Sequence, residues 1–153
     1  MPIFSFPYQI TEENLQKTGP VIPVMISLPL ALQELRTLSG EDVPPPVRGM
    51  ALIDTGAFGT AIDVTVFQKL GIPAFGRVNT MSAHGDGKLQ LYPALISFPT
   101  LGMENLPMEQ IMGCNLHWRA EKDTELIMLL GRDLLKNFLV VYNGKHSEVT
   151  LAF

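Results

Sequence analysis

The stretch "GMALIDTGAFGTAID", Gly49 to Asp63, decides how this chain folds. Met50 to Ile53 reads as buried strand, and Asp54 ends the run with a lone carboxylate. Gly56 then lets the chain bend tightly, and small residues lead on to Ala61 and Ile62. A strand that delivers an acid to the mouth of a core disfavours its charged form unless something offsets the desolvation. A second carboxyl sharing one proton is such an offset, because two like charges about 3 Å apart cannot both ionise. An acid that merely holds a turn is the plain alternative.

Outward from this stretch, Gly and Pro punctuate short segments rich in Val, Ile, Leu and Phe, the spacing of an all-β domain. Val24, Ile26 and Leu28 alternate as a half-buried strand does, with Pro23 indicating an edge or a strand start. Asp63 is placed to cap a short helix whose Val64, Phe67 and Leu70 share a face, closed by Gly71 and stopped by Pro73. Residues 77–98 read as two β arms around His84, Gly85, Asp86 and Gly87, a hairpin tip. The segment from Pro99 to Glu109 reads as a loop. Strands follow at "QIMGCNLHW" and "ELIMLLG", joined by the charged turn "RAEKD", then a short helix over Arg132 to Phe138 and a closing hairpin across "NGKHS". The organisation expected is an N-terminal arm at 1–20 and one domain at 21–153 with a loop at 30–49. Phe4, Phe6 and Tyr8 are candidates to tuck the arm onto that domain.

Composition narrows the function classes. The chain has 153 residues, 46% of them hydrophobic, enough for one domain with a real core. Its net charge is -4 and its 11 basic residues are scattered, so nucleic acid is not an expected partner. Cys114 is the only cysteine, which excludes an intrachain disulfide. The apolar run Val21 to Leu32 is broken by prolines and falls short of the roughly 20 residues that span a bilayer. The expectation is a soluble cytoplasmic protein without membrane contact. Cys114 and His117 form a C-x-x-H pair lacking the further ligands zinc requires, and the methionines from Met103 to Met128 read as core filler. No metal or cofactor is expected.

"LIDTGA" together with "IMLLGRDLL" (Ile127 to Leu135) resembles the retropepsin-like, or retroviral-type, aspartic proteases. The family order of Asp-Thr-Gly-Ala turn, flap hairpin, and two apolar residues with a glycine entering a short helix is met by Asp54 to Ala57, by Gly85 to Gly87, and by Leu129, Leu130 and Gly131. The established example of the shared proton described above is this family's carboxylate dyad. The resemblance implies a single-lobe closed barrel with a flap hairpin and one or two short helices. Asp54 would be the catalytic carboxylate, Thr55 would hydrogen-bond across a dimer axis, and Gly56 would let the turn approach substrate. His84, Gly85, Asp86 and Gly87 would form the flap over bound peptide. Leu129 to Gly131 would pack beneath the turn, with Arg132 and Asp133 opening the helix behind it.

No other aspartate here is followed by Thr-Gly or Ser-Gly, so the second carboxyl implied is that of a second copy in a twofold homodimer. The implied substrate is an extended polypeptide and the implied optimum acidic to mildly acidic. The chain departs from the viral pattern at Phe58, where an acid often stands to pair with the arginine at Arg132, and in a longer C-terminal hairpin like that closing a pepsin lobe. Those departures keep open a peptide- or protein-binding module without appreciable turnover. A structural β-domain in which Asp54 only shapes a turn is the third alternative.

Overall fold

A computed structural model describes residues 3–6, 12–82, 85–116 and 125–153. In chain order the elements are β1 (Ile3–Phe6), α1 (Glu12–Thr18), β2 (Val21–Ser27), α2 (Leu30–Leu38), β3 (Val47–Ile53), β4 (Ala61–Asp63), α3 (Val64–Leu70), β5 (Gly76–Ser82), β6 (Gly85–Phe98), β7 (Met103–Cys114), β8 (Leu126–Leu130), α4 (Arg132–Leu135), β9 (Leu139–Asn143) and β10 (Glu148–Ala152). A 3-10 turn at Pro99–Leu101 links β6 to β7.

Alternation in β2 buries Ile22, Val24 and Ile26, with Leu28 just beyond it, and sets the strand against two neighbours. It pairs antiparallel with β3 along its length and with β6 over Met25 to Ser27. The β6 contact closes the order β2-β3-β8-β4-β7-β6 into a six-stranded barrel, with β5 added beyond β6. Pro23 lies outside the part of β2 that pairs with β6, where its missing N–H does not interrupt the closure. Pro93 likewise falls at a register shift, between Tyr92 and Ala94.

One feature of the barrel creates the site. β3 and β4 are consecutive in sequence yet lie on opposite sides of β8, β3 parallel to it and β4 antiparallel. The chain between them therefore has to pass around the end of β8. Asp54 is the first residue of that passage and Leu130 the last of β8.

α3 forms as the spacing predicts. Asp63 accepts a hydrogen bond from the Thr65 N–H at 2.9 Å, and Gly71 ends the helix in the left-handed conformation with φ 66°. Phe67 and Leu70 are buried with Val66 beside them, whereas Val64 is only half-buried. Phe67 stacks on Tyr92 of β6 at 4.0 Å between ring centroids, fastening the helix to the barrel.

Three expectations are corrected. Residues 30–38 of the expected loop form helix α2. Pro29 stands at its N-cap, Ala31, Leu32, Gln33, Glu34 and Leu35 are good helix formers, and the Gln33 side chain donates to the Leu28 carbonyl at 2.7 Å. The expected loop from Pro99 to Glu109 holds the 3-10 turn and the first half of β7, which pairs with β6 through Met103, Leu106, Pro107 and Met108. Among the described residues there are four short α-helices, more than the one or two expected.

The N-terminal arm returns to the domain: β1 pairs antiparallel with β10, Ile3 opposite Ala152 and Phe6 opposite Val149, in a second sheet of order β1-β10-β9. Leu15 of α1 is buried in the main core. The "RAEKD" turn, His84, His117 and Tyr8 lie outside the described residues. Among those described, no helix is long and apolar enough to cross a membrane.

Candidate active site

The turn after β3 is held to the end of β8 by its own backbone. The Asp54 N–H donates to the Leu130 carbonyl at 3.0 Å, and the Arg132 N–H donates to the Ala57 carbonyl at 2.9 Å. The Arg132 guanidinium also donates to the Thr55 carbonyl at 2.7 Å. With Phe58 in place of an acid, Arg132 thus takes a backbone oxygen of the turn as its partner and fixes it from two positions.

Asp54 itself is partly exposed. Its Oδ1 accepts the Gly56 N–H at 2.9 Å and the Ala57 N–H at 3.2 Å, which aims the carboxyl across the turn. Among the described residues no group donates to its other oxygen, Oδ2. A Cβ on Gly56 would stand 3.1 Å from Oδ1, closer than a side chain there is normally accommodated. Thr55 is exposed, and its hydroxyl makes no hydrogen bond within the chain among the described residues. The carboxylate is thus oriented on one side and open on the other.

Beneath the turn, Thr60 and Asp133 form a clamp. Thr60 is 1% exposed. Its N–H donates to Asp133 Oδ2 at 2.9 Å and its hydroxyl to Oδ1 at 2.6 Å, while the same hydroxyl oxygen accepts the Gly131 N–H at 3.2 Å. Gly131 is required by space: a Cβ there would fall on the Gly59 carbonyl group and 2.7 Å from the Thr60 nitrogen. Leu130 is buried, and Leu129 lies opposite Leu52 of β3 and Ala61 of β4.

The structure therefore brings together Asp54, Thr55, Gly56, Ala57, Leu129, Leu130, Gly131 and Arg132. Thr60 joins them unannounced by the sequence reading. The available signal was a lone polar residue, Thr60, directly before the apolar pair that opens β4.

Gly85, Asp86 and Gly87 occupy the tip of the β5–β6 hairpin, opposite Ser82, Met81 and Thr80. Gly85 has φ 112°, a conformation that favours glycine. A cavity of about 640 Å³ on this hairpin is lined by Asn79, Thr80, Met81, Asp86, Gly87 and Lys88.

Among the described residues no group of three His, Cys, Asp or Glu side chains is arranged to hold a metal. Burial, with Asp63 nearby, pushes the Cys114 thiol up to about 12, and its Sγ donates to the Ile62 carbonyl at 3.6 Å. Such a thiol stays protonated and inert at neutral pH. No protein-family model matches the chain, and no curated protein sequence matches it.

Proposed function

We propose that this chain is an aspartic endopeptidase of the retropepsin-like kind, active as a homodimer in which Asp54 meets the partner subunit's Asp54. The observation that carries the reading is the state of the Asp54 carboxyl: Oδ1 is bound by two turn amides, and among the described residues no group donates to Oδ2 of this partly exposed side chain. An acid that only shaped a turn would need no second clamp below it, yet Arg132 and the Thr60–Asp133 pair both brace this one.

The chemistry follows from a carboxyl pair sharing one proton. The ionised Asp54 takes a proton from a water held between the two, and the water oxygen attacks the scissile carbonyl carbon. The protonated partner hydrogen-bonds the carbonyl oxygen and stabilises the tetrahedral intermediate. A proton then passes to the amide nitrogen as the C–N bond breaks, and amine and acid leave. The exposed Thr55 hydroxyl suits a hydrogen bond across the dimer axis. The β5–β6 hairpin suits a lid over an extended peptide, with Gly85, Asp86 and Gly87 as its tip. A lone, half-buried cysteine suits the reducing cytoplasm as the place of action.

The test is cleavage of unfolded polypeptide across pH by the purified chain, with and without a hydroxyl-bearing transition-state mimic, alongside the Asp54→Asn variant. Hydrolysis that the mimic inhibits and the variant lacks supports the reading. Equal hydrolysis by the variant, or none by the native chain at any pH and concentration, refutes it.

A further inference from the structure

The turn that carries Asp54 also carries a large apolar side chain in contact with solvent. Phe58 is 54% exposed and belongs neither to the hydrophobic core nor to the partly buried layer packed against it. A single exposed ring on a protein surface is ordinary. This one stands on a backbone that is fixed on both sides. Before it, the Ala57 N–H donates to Asp54 Oδ1 and the Ala57 carbonyl accepts the Arg132 N–H. After it, Gly59 is buried where Gly131 leaves no room for a Cβ, and Thr60 is held by Asp133.

The same bonds set the ring's distance from the carboxylate. The Ala57 nitrogen lies 3.2 Å from Asp54 Oδ1. One further residue of backbone, with N–Cα about 1.5 Å and consecutive Cα atoms about 3.8 Å apart, keeps the Phe58 Cα within about 9 Å of that oxygen. An extended peptide covers about 9 Å in roughly three residues. Thr55, Gly56 and Ala57 are small, so Phe58 supplies the large apolar surface of the turn.

We infer that Phe58 is a specificity-determining residue, its ring forming the wall against which an extended polypeptide lays an apolar side chain within three residues of the bond to be cut. The inference rests on the endopeptidase reading above and deepens it by naming the substrate class: polypeptides with large aliphatic or aromatic side chains flanking the cleavage point. The twofold relation sets one ring on each side of the carboxyl pair, so the preference falls on both sides of the cut. A substrate Lys or Asp laid against such a ring loses hydration without gaining a partner, whereas an apolar side chain is removed from water.

The experiment uses matched peptides, and matched hydroxyl-bearing transition-state mimics, that carry Leu or Lys at each position in turn within three residues of the cut. They are offered to the full chain in its native, Phe58→Ala and Phe58→Leu forms, with dimerisation read by sedimentation. The native chain is expected to favour Leu over Lys by about tenfold or more, at one position at least on each side, in kcat/KM and in mimic affinity. Phe58→Ala is expected to bring that ratio below about threefold, and Phe58→Leu to keep most of it, a rescue that a misfolded variant cannot give. An unchanged ratio in Phe58→Ala would overturn the inference. So would loss of the dimer in that variant, which would set the ring against the partner subunit instead of the substrate. If the native chain hydrolyses peptides without a Phe58-dependent preference, the inference fails while the protease reading stands. If it hydrolyses nothing but binds the mimics with that preference, the inference stands and the protease reading fails.

Discussion

Removing the Asp133 carboxyl tests whether the turn is held as described. Asp133→Ala deprives the Thr60 N–H and hydroxyl of their acceptors, at 2.9 Å and 2.6 Å, in a residue that is 1% exposed. It also removes one of the two acceptors of the Leu134 N–H, at 2.8 Å, leaving the Gly131 carbonyl at 3.2 Å. Each buried donor left without a partner costs roughly 1–3 kcal/mol, and water entering the vacated space returns part of it. The expected loss is about 3 kcal/mol out of a total stability of order 5–15 kcal/mol. Asp133→Asn keeps the volume and, with its oxygen on the Thr60 N–H, turns its NH2 to the Thr60 hydroxyl, which then loses the acceptor for its own proton, for a smaller loss of about 1–2 kcal/mol.

Urea unfolding at one fixed protein concentration reads both values. With a slope near roughly 2 kcal/mol per molar, the midpoint of Asp133→Ala falls by about 1.5 M and that of Asp133→Asn by less. Thr60→Val combined with Asp133→Ala should cost clearly less than the two separate losses added, because the partners share their hydrogen bonds. A midpoint shift under about 0.3 M for Asp133→Ala, or strict additivity in the double variant, would refute the clamp.

Three further outcomes are expected. Asp54→Asn keeps an oxygen for the Gly56 and Ala57 amides, so its unfolding free energy should stay within about 1 kcal/mol of the native chain's while hydrolysis drops at least ~100-fold, since the amide is no base. Gly131→Ala drives a methyl into the Gly59 backbone and should cost about 3 kcal/mol or more by thermal or urea unfolding; a native-like midpoint would show that the crossing has room. The Cys114 thiol is held protonated to about 12 in the folded chain. The unfolded thiol ionises near 8.5. The associated stability is therefore full below about pH 8.5 and is lost as pH rises toward 12. Cys114→Ala should flatten the fall in unfolding free energy over that window, and native Cys114 should alkylate slowly at pH 8 compared with the unfolded chain.

What the sequence made legible is mostly local. The Asp54 turn, the Asp63 cap with Gly71 closing α3, and the hairpin at Gly85 to Gly87 each follow from residue types a few positions apart. Helix α2 was missed although its apolar residues recur at helical spacing, because Pro29 before it and the Gly- and Pro-rich segment after it drew the stretch into a loop; only Leu32 packs against the core, while Leu30, Leu35 and Leu38 are exposed. β7 was masked in its first half by Glu104, Asn105 and Pro107, residues that a strand unpaired on one side tolerates. The Thr60–Asp133 clamp joins positions far apart in the chain and depends on β3 and β4 passing either side of β8, a topology no local pattern encodes. β9 was legible as a strand, but its exposed edge emerges only once β1 is seen to occupy the far side of β10.

Subunit mixing tests the paired-carboxylate claim most directly. Asp54→Asn protein is added to native protein at constant total concentration, and peptide cleavage is followed after the subunits have exchanged. If each active centre needs Asp54 from both copies, activity falls as the square of the native fraction, because mixed dimers are dead. A fall in simple proportion to the native fraction would mean that one chain carries a complete site by itself, and would contradict the account.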